Sequence, residues 1–222
     1  MKKILVFAPH PDDEVIGCGG QICAHVAQGD QVEVVFMTNG EAGDLDLPAT
    51  ELAALRKTEA ETASKLLGIS QLQWLGLPDG GVTYHTQTVS QIAKIIRTVK
   101  PDAVYGPHAQ DAHTDHQAAH QLIAESVNRA ASSAFPMADT TPWRVATWLS
   151  YEVWTPLSRP QFCADIAKHL ETKREAMRAY QSQLKNVAYE EAMVGLATYR
   201  GTMSGVGRAA ECFAVEKLTT LP

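Results

Sequence analysis

Two clusters of histidine and carboxylate residues could support metal chemistry in this chain. The first lies in the stretch APHPDDE and comprises His10, Asp12, Asp13 and Glu14. The second lies in PHAQDAHTDH and comprises His108, Asp111, His113, Asp115 and His116, with His120 one helical turn further on. Imidazole and carboxylate together form the ligand set of zinc and related divalent metals. Because a buried charge is costly unless it is paired or bound to a cation, each cluster predicts either an exposed turn or a cation site.

The spacing within each cluster brings several side chains to one side of the chain. His10 and Asp13 are three residues apart, as are His113 and His116, so a turn or a helix start places each pair together. Two histidines and one aspartate make a three-ligand set and leave a third histidine for another role. Asp12 stands beside a candidate ligand, which is where a general base belongs.

The elements that must position these residues alternate between strand and helix. Strands are predicted at 3–8, 31–38, 72–77, 102–107, 144–154 and 210–218, and helices at 19–30, 48–68, 88–99, 113–134 and 188–201, with 161–184 mostly helical. This alternation predicts an α/β fold with a mostly parallel central sheet and helices on both faces. Ligands of such sheets bind beyond the carboxyl ends of the strands. The polar loops PHPDDE, NGEAGD, PDGG and PHAQDAHTDH follow the first four strands, so we expect both clusters to meet at one edge.

The composition narrows the class of protein. The chain has 222 residues, 45% hydrophobic, which predicts a single domain over residues 1–222. A net charge of -6 and the lack of a basic cluster argue against a nucleic-acid partner, and no apolar run approaches the roughly 20 residues of a membrane span. The four cysteines, Cys18, Cys23, Cys163 and Cys212, show no zinc or disulfide spacing. We therefore expect reduced thiols in a soluble, cytoplasmic protein.

Simpler explanations of several motifs stay open at the level of sequence. HPDDE and TNGEAG could be solvated turns, and Arg56 could form a surface ion pair with Glu59. His120 is more often a packed or exposed helix residue than a ligand. Structural roles are predicted for His25, His85 and His169. Tryptophans in PWRVATWLSYEVW could lie at a homo-oligomer interface, although core packing is the favoured interpretation.

Together these residues resemble the PIG-L/LmbE-like family of zinc-dependent N-deacetylases. The specific elements are APHPDDE (8–14), TNGEAG (38–43), LRKTEAETASKLLGI (55–69) and HTDH (113–116). Weaker support comes from YEVWTP (151–156), KREAMRAYQSQ (173–183) and the segment 199–213. The resemblance covers nearly the whole chain and implies a Rossmann-like fold with its active site at the carboxyl ends of the strands.

By motif position, the resemblance implies that zinc is held by His10, Asp13 and His116. Asp12 would be the general base on the metal-bound water. His113 would stabilise the oxyanion or protonate the leaving amine, most effectively as a cation. Further roles are implied for Asp115, which would orient or charge-balance a histidine, and for the substrate-binding residues Arg56, Asn39, Glu41 and Asp111. Asp111 stands where some members carry a tyrosine that donates to the oxyanion.

The activity implied is hydrolysis of an N-acetyl group on an N-acetylglucosamine-type conjugate, with metal-bound water attacking the amide carbonyl. Two other classes stay open: a metallohydrolase of a non-sugar amide or ester, and a non-catalytic sugar-binding protein. Fe²⁺ could take the place of Zn²⁺, because two histidines and one carboxylate suit both metals.

Overall fold

A seven-stranded sheet lies at the centre of the fold. The computed structural model describes residues 1–44, 46–185 and 187–219. Its strands are β1 (Lys3–Ala8), β2 (Gln31–Thr38), β3 (Gln71–Leu77), β4 (Ala103–Pro107), β5 (Thr147–Tyr151), β6 (Phe162–Asp165) and β7 (Ala210–Leu218). The strand order is β3-β2-β1-β4-β5-β7-β6. The first five strands are parallel, and β7 pairs antiparallel with both β5 and β6.

Helices cover both faces of the sheet. They are α1 (Asp13–Ala27), α2 (Ala49–Leu67), α3 (Thr86–Val99), α4 (Thr114–Ala131), α5 (Leu170–Arg178), α6 (Gln181–Leu184) and α7 (Tyr189–Ser204). One layer contains α3 packed against α4, and the other contains α1, α2 and α5. This arrangement confirms the predicted α/β fold with a mostly parallel sheet.

Strand β1 shows why its sequence is apolar throughout. Ile4 and Val6 pack into the core under α1 and α2, whereas Leu5 and Phe7 pack into the core under α3 and α4. Successive side chains of a strand point to opposite faces, and here both faces are covered by helices. The continuous apolar run is thus the mark of a central strand.

The strand order places both chemical clusters at one crevice. From β1 the sheet extends in one direction through β2 and β3 and in the opposite direction through β4 and β5, so the strand order reverses at β1. Open parallel sheets bind ligands at such a switch point, beyond the carboxyl ends of the strands. The loop after β1 carries His10 and Asp12, and the loop after β4 carries Asp111 and His113.

One prediction for the C-terminal third is incomplete and another is wrong. The segment 161–184 contains α5 and α6, as its predicted mostly helical character implies, but it begins with β6, because pairing with β7 outweighs the local helical pattern. Cys163 and Cys212 are not reduced thiols: they are direct partners across β6 and β7 and form a disulfide with Cα atoms 4.2 Å apart. Their separation of 49 residues hides this pairing in the sequence. Cys18 and Cys23 are free and buried.

Gly17 provides a test of the packing between α1 and the sheet. A Cβ atom at this position would lie 2.2 Å from the Tyr151 ring, and the Tyr151 hydroxyl is fixed by donation to the Phe7 carbonyl at 2.7 Å. We expect Gly17→Ala to lower the free energy of unfolding by about 1–3 kcal/mol, measured by urea denaturation. The control is Gly195→Ala in α7, where a Cβ meets nothing within 4 Å and helix propensity should raise stability by about 0.5–1 kcal/mol. Equal stability of the two variants would contradict the packing described.

Candidate metal centre and active site

Three side-chain atoms converge at the crevice between β1 and β4. His10 Nδ1 and His116 Nε2 each lie 3.1 Å from Asp13 Oδ2, and the two nitrogens are 3.3 Å apart. The residues are buried and form a group that could hold a metal ion. Ligands about 2.0–2.1 Å from a tetrahedral zinc are separated by about 3.3 Å, so this triangle fits the ion.

Carboxylates on the outer side of both histidines complete the metal-site pattern. His10 Nε2 lies 3.1 Å from Asp115 Oδ2 and 3.1 Å from Asp79 Oδ1, and His116 Nδ1 lies 3.4 Å from Asp111 Oδ1. Metal-bound histidines commonly donate their second N–H to such an acceptor, which fixes the ring orientation. The donor set and its outer partners therefore both fit a divalent cation.

A second group of candidate ligands overlaps the first. His10, His113 and Asp115 also bring one ligand atom each within 4.8 Å of one another. In this group, however, Asp115 accepts hydrogen bonds from the backbone N–H groups of Gly80 and Val82 at 2.8 and 3.0 Å. His113 Nδ1 in turn accepts the Asp115 N–H at 3.2 Å. Both Asp115 oxygens are thus engaged by backbone N–H groups, whereas the group of His10, Asp13 and His116 is the more buried of the two candidate sites.

The turn before α1 holds Asp12 in a strained conformation. Asp12 has φ 128°, a region that non-glycine residues rarely adopt and that costs about 1–3 kcal/mol. Glu14 Oε2 accepts the Asp12 N–H at 3.0 Å, and Glu14 Oε1 accepts the Tyr180 hydroxyl at 2.6 Å. Arg56 donates to Asp12 Oδ2 at 3.0 Å and to the Pro11 carbonyl. These contacts fix the Asp12 carboxylate beside the candidate metal ligands.

Arg56 is an inward-facing residue of α2. It is 3% exposed and also donates to the Gly40 carbonyl at 3.2 Å. The alternative of a surface ion pair with Glu59 is wrong, because the Glu59 carboxylate instead accepts from the backbone N–H and hydroxyl of Ser182 at 2.8 and 2.7 Å. Arg56 therefore stabilises the turn at Asp12, whereas Glu59 binds the start of α6.

Burial sets the proton affinities of the carboxylates. It raises the pKa of Asp12 to about 7, against the opposing charge of Arg56, and it raises the pKa of Glu14 to about 8. Burial would also raise the pKa of Asp13, but the charge of His116 and a hydrogen bond from His10 hold it well below the ordinary value. A divalent cation beside Asp12 would lower its pKa again, because positive charge favours the ionised form.

His113 begins α4 and faces the cavity in a defined tautomer. Its Nδ1 accepts a backbone N–H, so the proton of the neutral ring lies on Nε2. Burial, followed by the positive charges of His10 and His116, lowers its pKa below the ordinary value. Both the lowered pKa and the hydrogen bond at Nδ1 favour a neutral His113 imidazole that donates from Nε2 over the cationic form expected from the sequence. Its ring centroid lies 4.8 Å from that of His10.

The predicted site residues separate into two groups. A cavity of about 330 Å³ is lined by five of them: His10, Asp12, Asp13, Arg56 and His113. His116, Asp115 and Asp111 lie behind this surface; Asp111 contacts His116 and accepts the Trp154 N–H at 3.0 Å, a position that does not support substrate contact. Asn39 and Glu41 do not line the cavity either, and Glu41 Oε1 accepts the Asp79 N–H at 3.0 Å.

Asp79, Trp154 and Tyr189 are among the lining residues of the cavity that were not predicted. Asp79, after β3, binds His10; its loop was expected at this edge, but no spacing links it to the histidine motifs. Trp154 and Tyr189 line the wall, with ring centroids 5.8 Å apart. Trp154 lies within the YEVWTP segment, whereas the sequence around Tyr189 carries no comparable signal.

Two further histidines of the second cluster have structural roles. His108 bonds to the Thr155 carbonyl at 2.7 Å, and His120 contacts the Pro107 carbonyl at 3.1 Å.

The fold and site define an α/β protein with a candidate metal centre at the switch point of its sheet. A family profile described as GlcNAc-PI de-N-acetylase, PIG-L, matches residues 5–127, which is more than half of the chain. The chain belongs to the PIG-L family, and the predicted resemblance is confirmed. So is the predicted enzyme class, a hydrolase of the N-deacetylase type.

Relatives of known activity support the same classification. The chain is 29% identical over 213 residues to a diacetylchitobiose deacetylase of Thermococcus kodakarensis, covering 92% of this chain and 80% of the relative. It matches the structure of an N,N'-diacetylchitobiose deacetylase of Pyrococcus horikoshii bound to an inhibitor, with TM-score 0.88, 30% identity, and coverage of 96% and 83% of the two chains. A 4-carboxy-2-hydroxymuconate hydratase of Pseudomonas putida KT2440 has TM-score 0.89 at 23% identity, covering 100% and 99% of the chains, and shares the fold alone.

Asp115 allows the outer carboxylates of the metal centre to be tested. Asp115→Asn keeps the size of the side chain but removes the charge that holds His10. We expect the dissociation constant for zinc to rise about 10- to 100-fold, measured by competition with a chelating indicator. Asp139→Asn changes an exposed aspartate remote from the cavity and should leave zinc affinity unchanged. Equal affinities for the two variants would remove Asp115 from the support of the metal centre.

Proposed function

We propose that this protein hydrolyses the N-acetyl group of an N-acetylglucosamine-type conjugate with the help of zinc. The observation that carries the proposal is the buried triangle of His10, Asp13 and His116, which lies beside Asp12 in one cavity. Membership of the PIG-L family and similarity to two diacetylchitobiose deacetylases support the substrate class. Water adds to the acetyl carbon, the C–N bond breaks, and acetate and a free amine leave.

The chain supplies a base at the metal centre. A divalent cation held by His10, Asp13 and His116 would polarise the acetyl oxygen and lower the pKa of a water molecule. Arg56 engages Asp12 Oδ2, and Asp12 Oδ1 has no hydrogen-bond partner within the described ranges. Oδ1 is thus the oxygen that takes the proton of the attacking water and later passes it to the departing nitrogen.

The developing negative charge on the acetyl oxygen needs a hydrogen-bond donor. His113 Nε2–H faces the cavity and fills this role as a neutral group. Tyr189 offers a second donor from α7, since burial raises the pKa of its hydroxyl to about 12 and keeps it protonated. Some members of the family carry a donor tyrosine in the second motif, where this chain has Asp111. Tyr189 instead belongs to α7.

Several finer predictions accompany this function. Zinc is the metal that we propose for this site, and Fe²⁺, which takes the same set of two histidines and one carboxylate, is the alternative. A homo-oligomer and a cytoplasmic location stay predictions, and the Cys163–Cys212 disulfide would be unusual in that compartment. Among the described residues, none of the helices has the length and apolar character to cross a membrane.

A substrate panel and one variant test the activity. The zinc-loaded protein should release acetate from N-acetylglucosamine or N,N'-diacetylchitobiose, and not from a simple non-sugar amide or ester. Asp12→Asn should lower kcat about 100- to 10,000-fold while zinc content stays unchanged, because only the base is lost. Turnover by Asp12→Asn near that of the unmodified protein would exclude Asp12 as the base. Preference for the non-sugar substrates would overturn the substrate class.

The metal ligands are tested by elemental analysis. His116→Ala removes one of the three donor atoms and should yield protein without stoichiometric zinc. His85→Ala changes an exposed histidine at the start of α3 and should retain zinc at the level of the unmodified protein. Full zinc occupancy in His116→Ala would remove this residue from the ligand set.

A further inference from the structure

A second cavity adjoins the candidate active site. It has a volume of about 260 Å³, far more than a single water molecule needs. Ile16, Val153, Trp154 and Tyr189 line both cavities, so the second adjoins the first along these four side chains.

The residues of the second cavity that are free to contact a ligand are mostly apolar. Beyond the shared residues it is walled by α7, through Met193, Leu196 and Ala197. Its charged residues already have partners: Lys173 donates to Glu211 at 2.6 Å, and Arg200 donates to Glu152. A polar ligand would gain little there, whereas an apolar group would be removed from water.

The shared wall begins close to the candidate metal ligands, because Ile16 lies one turn of α1 beyond Asp13. Ile16 belongs to the first turn of α1, and its N–H donates to the Asp12 carbonyl at 2.9 Å. The polar lining residues Arg56, Asp79 and Gln183 belong to the active-site cavity alone. A sugar would place its hydroxyls against these polar groups.

An amide at the metal centre must extend in two directions. Its carbonyl carbon carries the nitrogen on one side and the acyl chain on the other, and the planar amide keeps the two apart. With the sugar against the polar wall, the acyl chain points toward the shared apolar wall.

We propose that the apolar cavity binds the acyl chain, so the protein hydrolyses N-acyl amino sugars with chains longer than acetyl. This inference rests on the proposed deacetylase function and extends its substrate class. The chemistry is unchanged: water adds to the acyl carbon, the C–N bond breaks, and a longer carboxylic acid leaves in place of acetate.

A chain-length series tests the proposal in the zinc-loaded protein. We expect kcat/KM for N-acylglucosamines to rise about two- to fourfold per methylene from acetyl to hexanoyl, because each added methylene is buried. Ala192→Phe should fill the cavity and reduce hexanoyl turnover at least tenfold, with acetyl turnover unchanged. The control Thr198→Phe alters an exposed position of the same helix that lines neither cavity and should behave as the unmodified protein.

Binding supplies a readout that does not depend on turnover or on the folding of the Phe variants. In zinc-loaded Asp12→Asn, calorimetry should give a dissociation constant for N-hexanoylglucosamine at least tenfold below that for N-acetylglucosamine. Equal constants would overturn the proposal.

Other outcomes separate this proposal from the function on which it rests. If the unmodified protein hydrolyses N-acetylglucosamine but loses tenfold or more in kcat/KM by the butyryl compound, the acyl cavity is refuted and the deacetylase function stands. If hydrolysis of neither is detected, both fail. If instead a hexyl glycoside of N-acetylglucosamine gains activity that Ala192→Phe abolishes, the occupant is an aglycone and the proposal is wrong.

Discussion

Asp12 has a positive φ angle, which residues other than glycine rarely adopt, and the arrangement of the candidate active site depends on this conformation. The turn ends β1 and starts α1 within a few residues, so that His10, Asp12 and Asp13 reach one crevice. Such a conformation persists only when its surroundings hold it in place. Glu14 binds the Asp12 N–H, and Arg56 binds both the Asp12 carboxylate and the preceding carbonyl. Glu14, which is not among the candidate ligands, therefore positions Asp12, the proposed base.

The charges of the site are balanced over successive layers. The candidate metal ligands His10 and His116 contact Asp13 on the inner side and further carboxylates on the outer side. Those outer carboxylates are held in turn by backbone N–H groups, such as those of Gly80 and Val82 on Asp115. Buried charges are tolerated when each has partners. The charged and polar groups of the loops after β1, β3 and β4 thus pair with one another.

The sequence predicts the parts of this site that depend on regular structure. Apolar strands and polar loops place His10 and His116 at one edge, because the carboxyl ends of parallel strands coincide. Asp79 was missed because its contact with His10 joins loops of unrelated sequence. The inward position of Asp111 was missed because spacing along a loop does not determine which way a side chain turns. β6 was missed because its pairing with β7 is a long-range interaction that local pattern does not record.

The disulfide between β6 and β7 has a consequence for the middle of α1. Glu211 precedes Cys212 on β7, and its carboxylate accepts the N–H groups of Gly20 and Gln21 at 2.8 Å each. Sliding β7 by a single residue would turn Glu211 to the opposite face of the sheet. The covalent bond forbids that slide relative to β6. A covalent link between an edge strand and its neighbour thereby keeps Glu211 in place against the helix that starts at the Asp12 turn.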